Sequence, residues 1–216
     1  MPDSRPRKVA TAIALLVSAS SADASPTTKM GQDEPITVTV YGGDAAAVEV
    51  RPSNEVELLK AKFVFARALG SMSLRRVDVY ANDNVSGYYT RFGGGNGDPF
   101  LTLYAYPASK PIADEVGDVK AALVDRFKAS PIKSLFPDFD APQLMSGCYS
   151  GTADNRSMDT CFWLVKRGNW FIKVRLTLPK ERKSDAIDVA MIALRSIPWN
   201  WTPPNTSALN SNSHSQ

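Results

Sequence analysis

Residues 160–179, TCFWLVKRGNWFIKVRLTLP, constrain the fold most, because two apolar runs of strand length flank Gly168 and Asn169. A Gly-Asn pair between two such runs favours a two-residue β-hairpin loop with glycine at its first position. That loop fixes the register, starting from the pair Arg167–Trp170 and proceeding outward. The sequence therefore predicts an antiparallel hairpin at the centre of a sheet.

The predicted register sorts the hairpin side chains onto two faces, because directly opposed residues share a face. One face is nearly all apolar and holds the pairs Arg167–Trp170, Val165–Ile172, Trp163–Val174 and Cys161–Leu176. The other face is mixed and holds Lys166–Phe171, Leu164–Lys173, Phe162–Arg175 and Thr160–Thr177. A slip of one residue would mix the two sets, so their separation supports the register.

The remaining segments predict an α+β fold. Strand-like alternation occurs at residues 35–41, 76–80, 85–92, 99–106 and 144–150, and helical periodicity at 54–70, 111–130 and 184–197. Within the first helical segment, Phe63-Val64-Phe65 leaves a strand as the alternative. Grouped strands joined by tight turns favour an antiparallel sheet over a parallel one. We expect a single domain at residues 35–199, a two-layer sandwich in which a twisted antiparallel sheet carries the helices at 111–130 and 184–197 on its apolar face.

The N-terminal segment has the pattern of an export signal. Arg5, Arg7 and Lys8 precede an apolar run, and Ala22-x-Ala24 fits a small-residue cleavage site. We predict a signal peptide at residues 1–24, and hence a periplasmic or secreted protein. The alternative is a cytosolic protein with an apolar N-terminal helix. The apolar run is too short for a permanent membrane anchor.

Polar composition predicts a flexible leader at residues 25–34 and a disordered tail at 200–216. The formal net charge of the whole chain is +3, which gives no general attraction to nucleic acid. Cys148 and Cys161 are the only cysteines. In an exported protein such a pair predicts a disulfide, although two buried thiols remain the alternative.

Residues for catalysis are scarce. The only histidine is His214, in the polar tail, so a Ser-His-Asp or Cys-His arrangement lacks a base and a His-based zinc site lacks ligands. The acidic pair Asp138 and Asp140 leaves a carboxylate-dependent hydrolase open. The glycine-rich segment 93–97 precedes a strand rather than a helix, which favours a hairpin turn over a phosphate loop. No cofactor or metal site is predicted.

The mixed face of the hairpin is the candidate binding surface. It consists of Phe162, Lys166, Phe171, Lys173 and Arg175, which place cations beside aromatic rings across the strands. Such a face suits an anionic or aromatic ligand, and we expect it to point away from the helices. The alternative is an ordinary solvent-facing surface, where long basic side chains cover apolar rings.

Three segments carry a resemblance to known proteins: VDVYANDNVSGYY, FLTLYAYP and WFIKVRLTLP. They resemble a family of exported, uncharacterised bacterial α+β proteins, and the order of elements is more distantly similar to the PsbP/Mog1-like sandwich. Lys173, Arg175 and Thr177 fall on the last strand of that pattern, whereas the glycine-rich turn and the cysteine pair depart from it. The resemblance implies a fold and an envelope location, and it implies no activity.

The expected function is therefore a non-enzymatic periplasmic or secreted module. It would bind a partner protein of the envelope or a small ligand, without nucleic acid. Two alternatives stay open, which are a carboxylate-dependent hydrolase and a cell-envelope accessory factor that has no small ligand.

Overall fold

The computed structural model describes residues 35–91, 97–137, Phe139, 144–153 and 155–204. The predicted signal peptide and leader lie outside the described residues, and so does the tail from residue 205 onward. The same holds for Asp138, Asp140, His214 and residues 93–96 of the glycine-rich segment.

Strands make up most of the regular structure. The β-strands are β1 (Thr37–Tyr41), β2 (Val48–Val50), β3 (Val56–Leu58), β4 (Phe63–Phe65), β5 (Ala68–Leu69), β6 (Met72–Tyr80), β7 (Asn84–Arg91), β8 (Phe100–Pro107), β9 (Ser130–Ile132), β10 (Met145–Ala153), β11 (Arg156–Arg167) and β12 (Trp170–Pro179). The helices are α1 (Ile112–Phe127), α2 (Ala186–Arg195) and a short 3-10 helix, Ala45–Ala47. None of the helices in these described ranges has the length and apolar character needed to cross a bilayer.

The strands form two sheets. The large sheet has nine strands in the order β1-β6-β7-β8-β12-β11-β10-β9, with β5 paired to β6. It is a mixed sheet, because β1 runs parallel to β6 while the other neighbours are antiparallel. The small sheet consists of β2, β3 and β4.

The predicted hairpin is confirmed as β11 and β12, near the middle of the large sheet. All eight predicted pairs are present in the predicted register, from Arg167–Trp170 to Thr160–Thr177. Gly168 has a φ of 55°, in the left-handed region that favours glycine. A local turn signal and an alternating pattern therefore sufficed to fix this part of the fold.

The predicted α+β class, a two-layer sandwich with helices on one face of an antiparallel sheet, is wrong. Strands dominate, the large sheet is mixed, and a hydrophobic core lies on each of its faces. On the face of Trp163, a core includes the small sheet and the buried side of α2. On the face of Phe162, a second core includes α1. The cause is that Phe162, Leu164 and Phe171 make the mixed face apolar enough to pack under a helix.

The predicted helix at residues 54–70 is also wrong, because this segment forms β3, β4 and β5. The apolar residues Val56 and Leu58, and then Phe63 and Phe65, alternate with a period of two within each strand, and all four are fully buried. Lys62, between the strands, has a φ of 54°, which ends any helical path. The apolar spacing was compatible with both periods, and the tertiary contacts of the small sheet decided between them.

The predicted disulfide between Cys148 and Cys161 is confirmed. The two residues oppose each other on β10 and β11, and their Cα atoms are 4.1 Å apart. Both belong to the core on the Trp163 face of the sheet. Trp201 lies beyond the predicted domain boundary at residue 199, and its ring packs edge-on against Phe63 with a centroid distance of 5.3 Å.

Candidate functional site

The structure separates the five residues of the predicted binding surface. Phe162 and Phe171 are buried in the core beneath α1, so the expectation that they face away from the helices is wrong. Lys166 is exposed and does not line the cleft described below. Lys173 and Arg175 remain partly buried, on the same face of β12.

These two cations belong to two neighbouring rows of side chains that cross the large sheet. The first row, here called the arginine row, follows the pairing Arg76, Tyr88, Thr102, Arg175 and Phe162. The second, the lysine row, follows Asp78, Ser86, Tyr104, Lys173 and Leu164. Because strand residues alternate between faces, both rows lie on the face that α1 packs against.

A cleft of about 100 Å³ opens where α1 meets the two rows. Its basic residues are Arg126, Lys173 and Arg175, its aromatic residues are Tyr104, Phe127 and Phe162, and aliphatic side chains of α1 complete it. We call it the anion cleft.

The C-terminal end of α1 closes one side of this cleft. A Cβ atom at Gly151 of β10 would lie 2.4 Å from the carbonyl oxygen of Phe127, so glycine allows the helix end to approach the sheet. Lys128 ends the helix in the left-handed conformation, with a φ of 49°. Arg126 and Phe127 are thereby held over β11 and β12.

Arg175 is a cation without a matched acceptor. Its guanidinium carbon lies 5.7 Å from the centre of the Phe127 ring. Its Nε is buried without a hydrogen-bond partner, and no carboxylate of the described residues is paired with Arg175. A buried donor left unsatisfied costs about 1–3 kcal/mol, and more when the group is charged. An anion in the cleft would remove that cost.

Lys173 is nearly as poorly neutralised. Its Nζ lies 4.6 Å from the ring centre of Tyr104 and 5.0 Å from that of Tyr106. The carboxylate facing it is that of Glu115, whose Oε1 is 4.0 Å away. Burial lowers the pKa of Lys173, and the charges of Arg175 and Lys110 lower it further against the opposing effect of Glu115.

Glu115 is held by other partners. The Tyr106 hydroxyl donates a hydrogen bond of 2.6 Å to its Oε1, and Lys110 Nζ lies 2.9 Å from its Oε2. Burial, followed by the bond to Glu115, raises the pKa of Tyr106, so its hydroxyl keeps its proton. Glu115 is therefore shared among Tyr106, Lys110 and Lys173, and Lys173 is the most distant of the three, at 4.0 Å.

Within the described ranges, no three His, Cys, Asp or Glu side chains are grouped so as to hold a metal ion. What the cleft provides is two partly buried cations beside aromatic rings. Guanidinium and ammonium groups bind carboxylates and phosphates, the first through a planar fork and the second as a point charge. The arrangement is therefore suited to binding an anion.

Sequence reasoning missed the residues that come from other elements. Tyr104 enters through the pairing of β8 with β12, and Arg126 and Phe127 enter through the packing of α1. The alternation within FLTLYAYP placed Tyr104 and Tyr106 on one face of a strand, but no local signal indicated which strand lies beside it.

No model of a protein family matches the chain, and a search of curated proteins finds none with significant similarity.

Proposed function

We propose that the protein is a non-enzymatic binding module of the periplasm or the extracellular space, and that its anion cleft takes the acidic group of a small ligand. One observation carries the proposal, which is that Arg175 Nε is buried with no hydrogen-bond acceptor. Native proteins pair almost all buried polar side-chain atoms, and an exception calls for a reason. A ligand carboxylate that accepts from Arg175 supplies that reason.

The aromatic walls of the cleft favour an organic acid over a spherical inorganic anion. Phe127 presents aromatic surface beside Arg175, and the fully buried Phe162 also lines the cleft. The volume of about 100 Å³ is smaller than the roughly 150 Å³ of an engineered cavity that holds benzene, so the acidic group enters the cleft and the rest of the ligand stays at its mouth. The carboxylate then lies between Lys173 and Arg175, with the group attached to it beside Phe127.

Stability gives a second reason. A lysine whose pKa is lowered by burial destabilises the folded state wherever the lysine is charged. Lys173 thus lowers the stability of the folded protein at neutral pH. Packing gives no reason for a charged side chain at this position, whereas anion binding does.

The cellular location follows from the same proposal. Disulfides form and persist in oxidising compartments, and the bond between Cys148 and Cys161 supports export together with the basic and apolar N-terminal pattern. The intact mass of protein from a periplasmic fraction is expected to correspond to residues 25–216. Recovery of the full-length chain from the cytosol would contradict export.

The binding proposal is tested by titration calorimetry with benzoate at low salt. Wild-type protein is expected to bind benzoate more tightly than inorganic phosphate. Arg175→Gln removes the fork of donors and is expected to weaken benzoate binding about tenfold or more.

Arg195→Gln is the matched control, because Arg195 is an exposed arginine on α2, in a different part of the fold. It is expected to bind benzoate like the wild type. If Arg175→Gln and Arg195→Gln both kept wild-type affinity while remaining folded, the anion cleft would not be the site. If the wild type bound neither anion, an envelope accessory factor without a small ligand would be the better account.

A further inference from the structure

The face that carries the anion cleft continues beyond α1. α1 packs with residues of β10, β11 and β12, whereas the same face of β6 and β7 carries Arg76, which is exposed, and Tyr88, which is partly exposed. Asp78 and Ser86, the members of the lysine row on these two strands, are buried beside them. We call this region the open face.

Arg76 is an exposed cation on the open face. Its side chain is 46% exposed, and its guanidinium carbon lies 5.6 Å from the centre of the Tyr88 ring. Burial raises the pKa of Tyr88, and the positive charges of Arg76 and Arg175 oppose that rise. Tyr88 therefore lies between two guanidinium groups, one at each side along the arginine row.

The open face also carries an acceptor that lacks a donor, because Asn84 Oδ1 is buried without a hydrogen bond. Asp78 is the counter-ion of Arg76, whose Nε lies 2.8 Å from its Oδ1. The pair engages one edge of the Arg76 guanidinium. Ser86 separates Asp78 from Tyr104 in the lysine row and brings another hydroxyl.

The spacing of the cations sets the length of a ligand that reaches both. Arg76 on β6 and Arg175 on β12 are separated by β7 and β8. Three steps between neighbouring strands span about 15 Å. A single small acid cannot bridge that distance, whereas an elongated molecule with repeated acidic groups can.

We propose that the ligand of this face is an acidic oligosaccharide, with one carboxylate in the anion cleft and another at Arg76. This inference rests on the proposed function of the anion cleft and extends it to the open face. Sugar acids combine the three features that the face offers partners for: carboxylates for Arg76 and Arg175, a hydroxyl donor for Asn84 Oδ1, and ring faces for Tyr88 and Tyr104.

Nucleic acid is the competing polyanion, since bases also stack on aromatic rings. Two observations favour the sugar acid. The formal net charge of +3 is small for a chain of 216 residues, and nucleic-acid-binding domains usually carry a strong basic patch and a high pI. The disulfide indicates an oxidising compartment, which supports a location outside the cytosol, where nucleic acid is concentrated.

The test uses titration calorimetry with galacturonic acid and with its linear hexamer. The wild type is expected to bind the hexamer at least about tenfold more tightly than the monomer, because a second charged contact is added. Arg76→Gln is expected to lose that advantage while it keeps the monomer affinity of the wild type. Arg175→Gln is expected to weaken both ligands, and Arg195→Gln is expected to weaken neither.

Two further ligands complete the design. The methyl-esterified hexamer keeps the rings and removes the charges, and it is expected to bind weakly. Rising salt is expected to weaken the hexamer more than the monomer, because more charged contacts are screened.

The outcomes separate the two proposals. If benzoate binding depends on Arg175 but the hexamer binds no more tightly than the monomer, the extended site is overturned and the anion cleft stands. Equal binding of the hexamer by Arg76→Gln and the wild type would also overturn the extended site. A single-stranded oligonucleotide that binds more tightly than the hexamer would overturn the choice of sugar acid. If no anion binds, both proposals fail.

Discussion

Lys173 is the residue whose chemistry and packing conflict most. Its ammonium lies among Tyr104, Tyr106 and the charge of Arg175, and burial lowers its pKa. The folded protein therefore binds fewer protons at this residue than the unfolded chain does, within the pH window between the lowered pKa and about 10.4. The free energy of unfolding therefore rises with pH through that window. Below the window Lys173 is charged in both the folded and the unfolded state, so the full cost of burying the charge is present.

Lys173→Met removes this cost and keeps the aliphatic part of the side chain. At neutral pH the variant is expected to melt at a higher temperature than the wild type, and the difference is expected to shrink as the pH approaches about 10.4. Melting curves recorded by circular dichroism across this range measure it. Lys120→Met, at an exposed position on α1, is the control for general effects of charge removal. A variant less stable than the wild type at neutral pH would show that Lys173 contributes stability as a cation.

At the level of elements, the hairpin β11–β12 is buried on both faces. Trp163 packs against Phe136 and Phe139 on one side, with ring distances of 5.5 and 5.7 Å. Phe162, its neighbour in sequence, is fully buried on the other side beneath α1. Sequence reasoning gave the register correctly and the environment of the second face incorrectly.

Because both faces of the hairpin are buried, truncation of a large side chain on either face is expected to destabilise the protein to a similar extent. Trp163→Ala and Phe162→Ala are each expected to lower the free energy of unfolding by about 3–5 kcal/mol, because each leaves a cavity in a packed core. Lys166→Ala, on the exposed end of the same hairpin, is expected to change it by less than about 0.5 kcal/mol. Urea denaturation measures all three. A small effect of Phe162→Ala together with a large effect of Trp163→Ala would contradict a packed core on the Phe162 face.

How much of the fold could be predicted depends on how far apart in the sequence the interacting residues lie. The turn Gly168-Asn169, the register of the hairpin and the opposition of Cys148 and Cys161 depend on residues close in sequence, and they were predictable. The parallel pairing of β1 with β6 and the pairing of β8 with β12 join distant segments, for which alternation alone specifies no partner. The anion cleft depends on those distant pairings, so only Phe162 and the two cations on β12 were found from the sequence.

At the level of the whole molecule, the disulfide and the anion cleft lie on opposite faces of the large sheet. Cys148 and Cys161 belong to the core that includes α2 and the small sheet, whereas Phe162 and α1 form the other core. Stability and binding should therefore respond separately to loss of the bond.

Replacement of both Cys148 and Cys161 by serine is expected to lower the free energy of unfolding by about 3 kcal/mol, the value that chain entropy gives for a short closed loop. Benzoate affinity is expected to stay unchanged, because the cleft lies across the sheet. Urea denaturation and calorimetry on the same preparation measure the two effects. Loss of benzoate binding in a variant that stays folded would show that the two faces are coupled.

The central claim is that Arg175 gains an acceptor when an anion enters the cleft. Nuclear magnetic resonance of the arginine Nε–H groups tests it directly, with signals assigned by Arg175→Gln and benzoate added in steps. The account predicts that the Arg175 Nε–H signal shifts downfield and exchanges more slowly with water as benzoate binds, while the Arg195 signal stays in place. Two results would contradict this claim. In the first, benzoate binds but the Arg175 signal does not change, and in the second, benzoate does not bind.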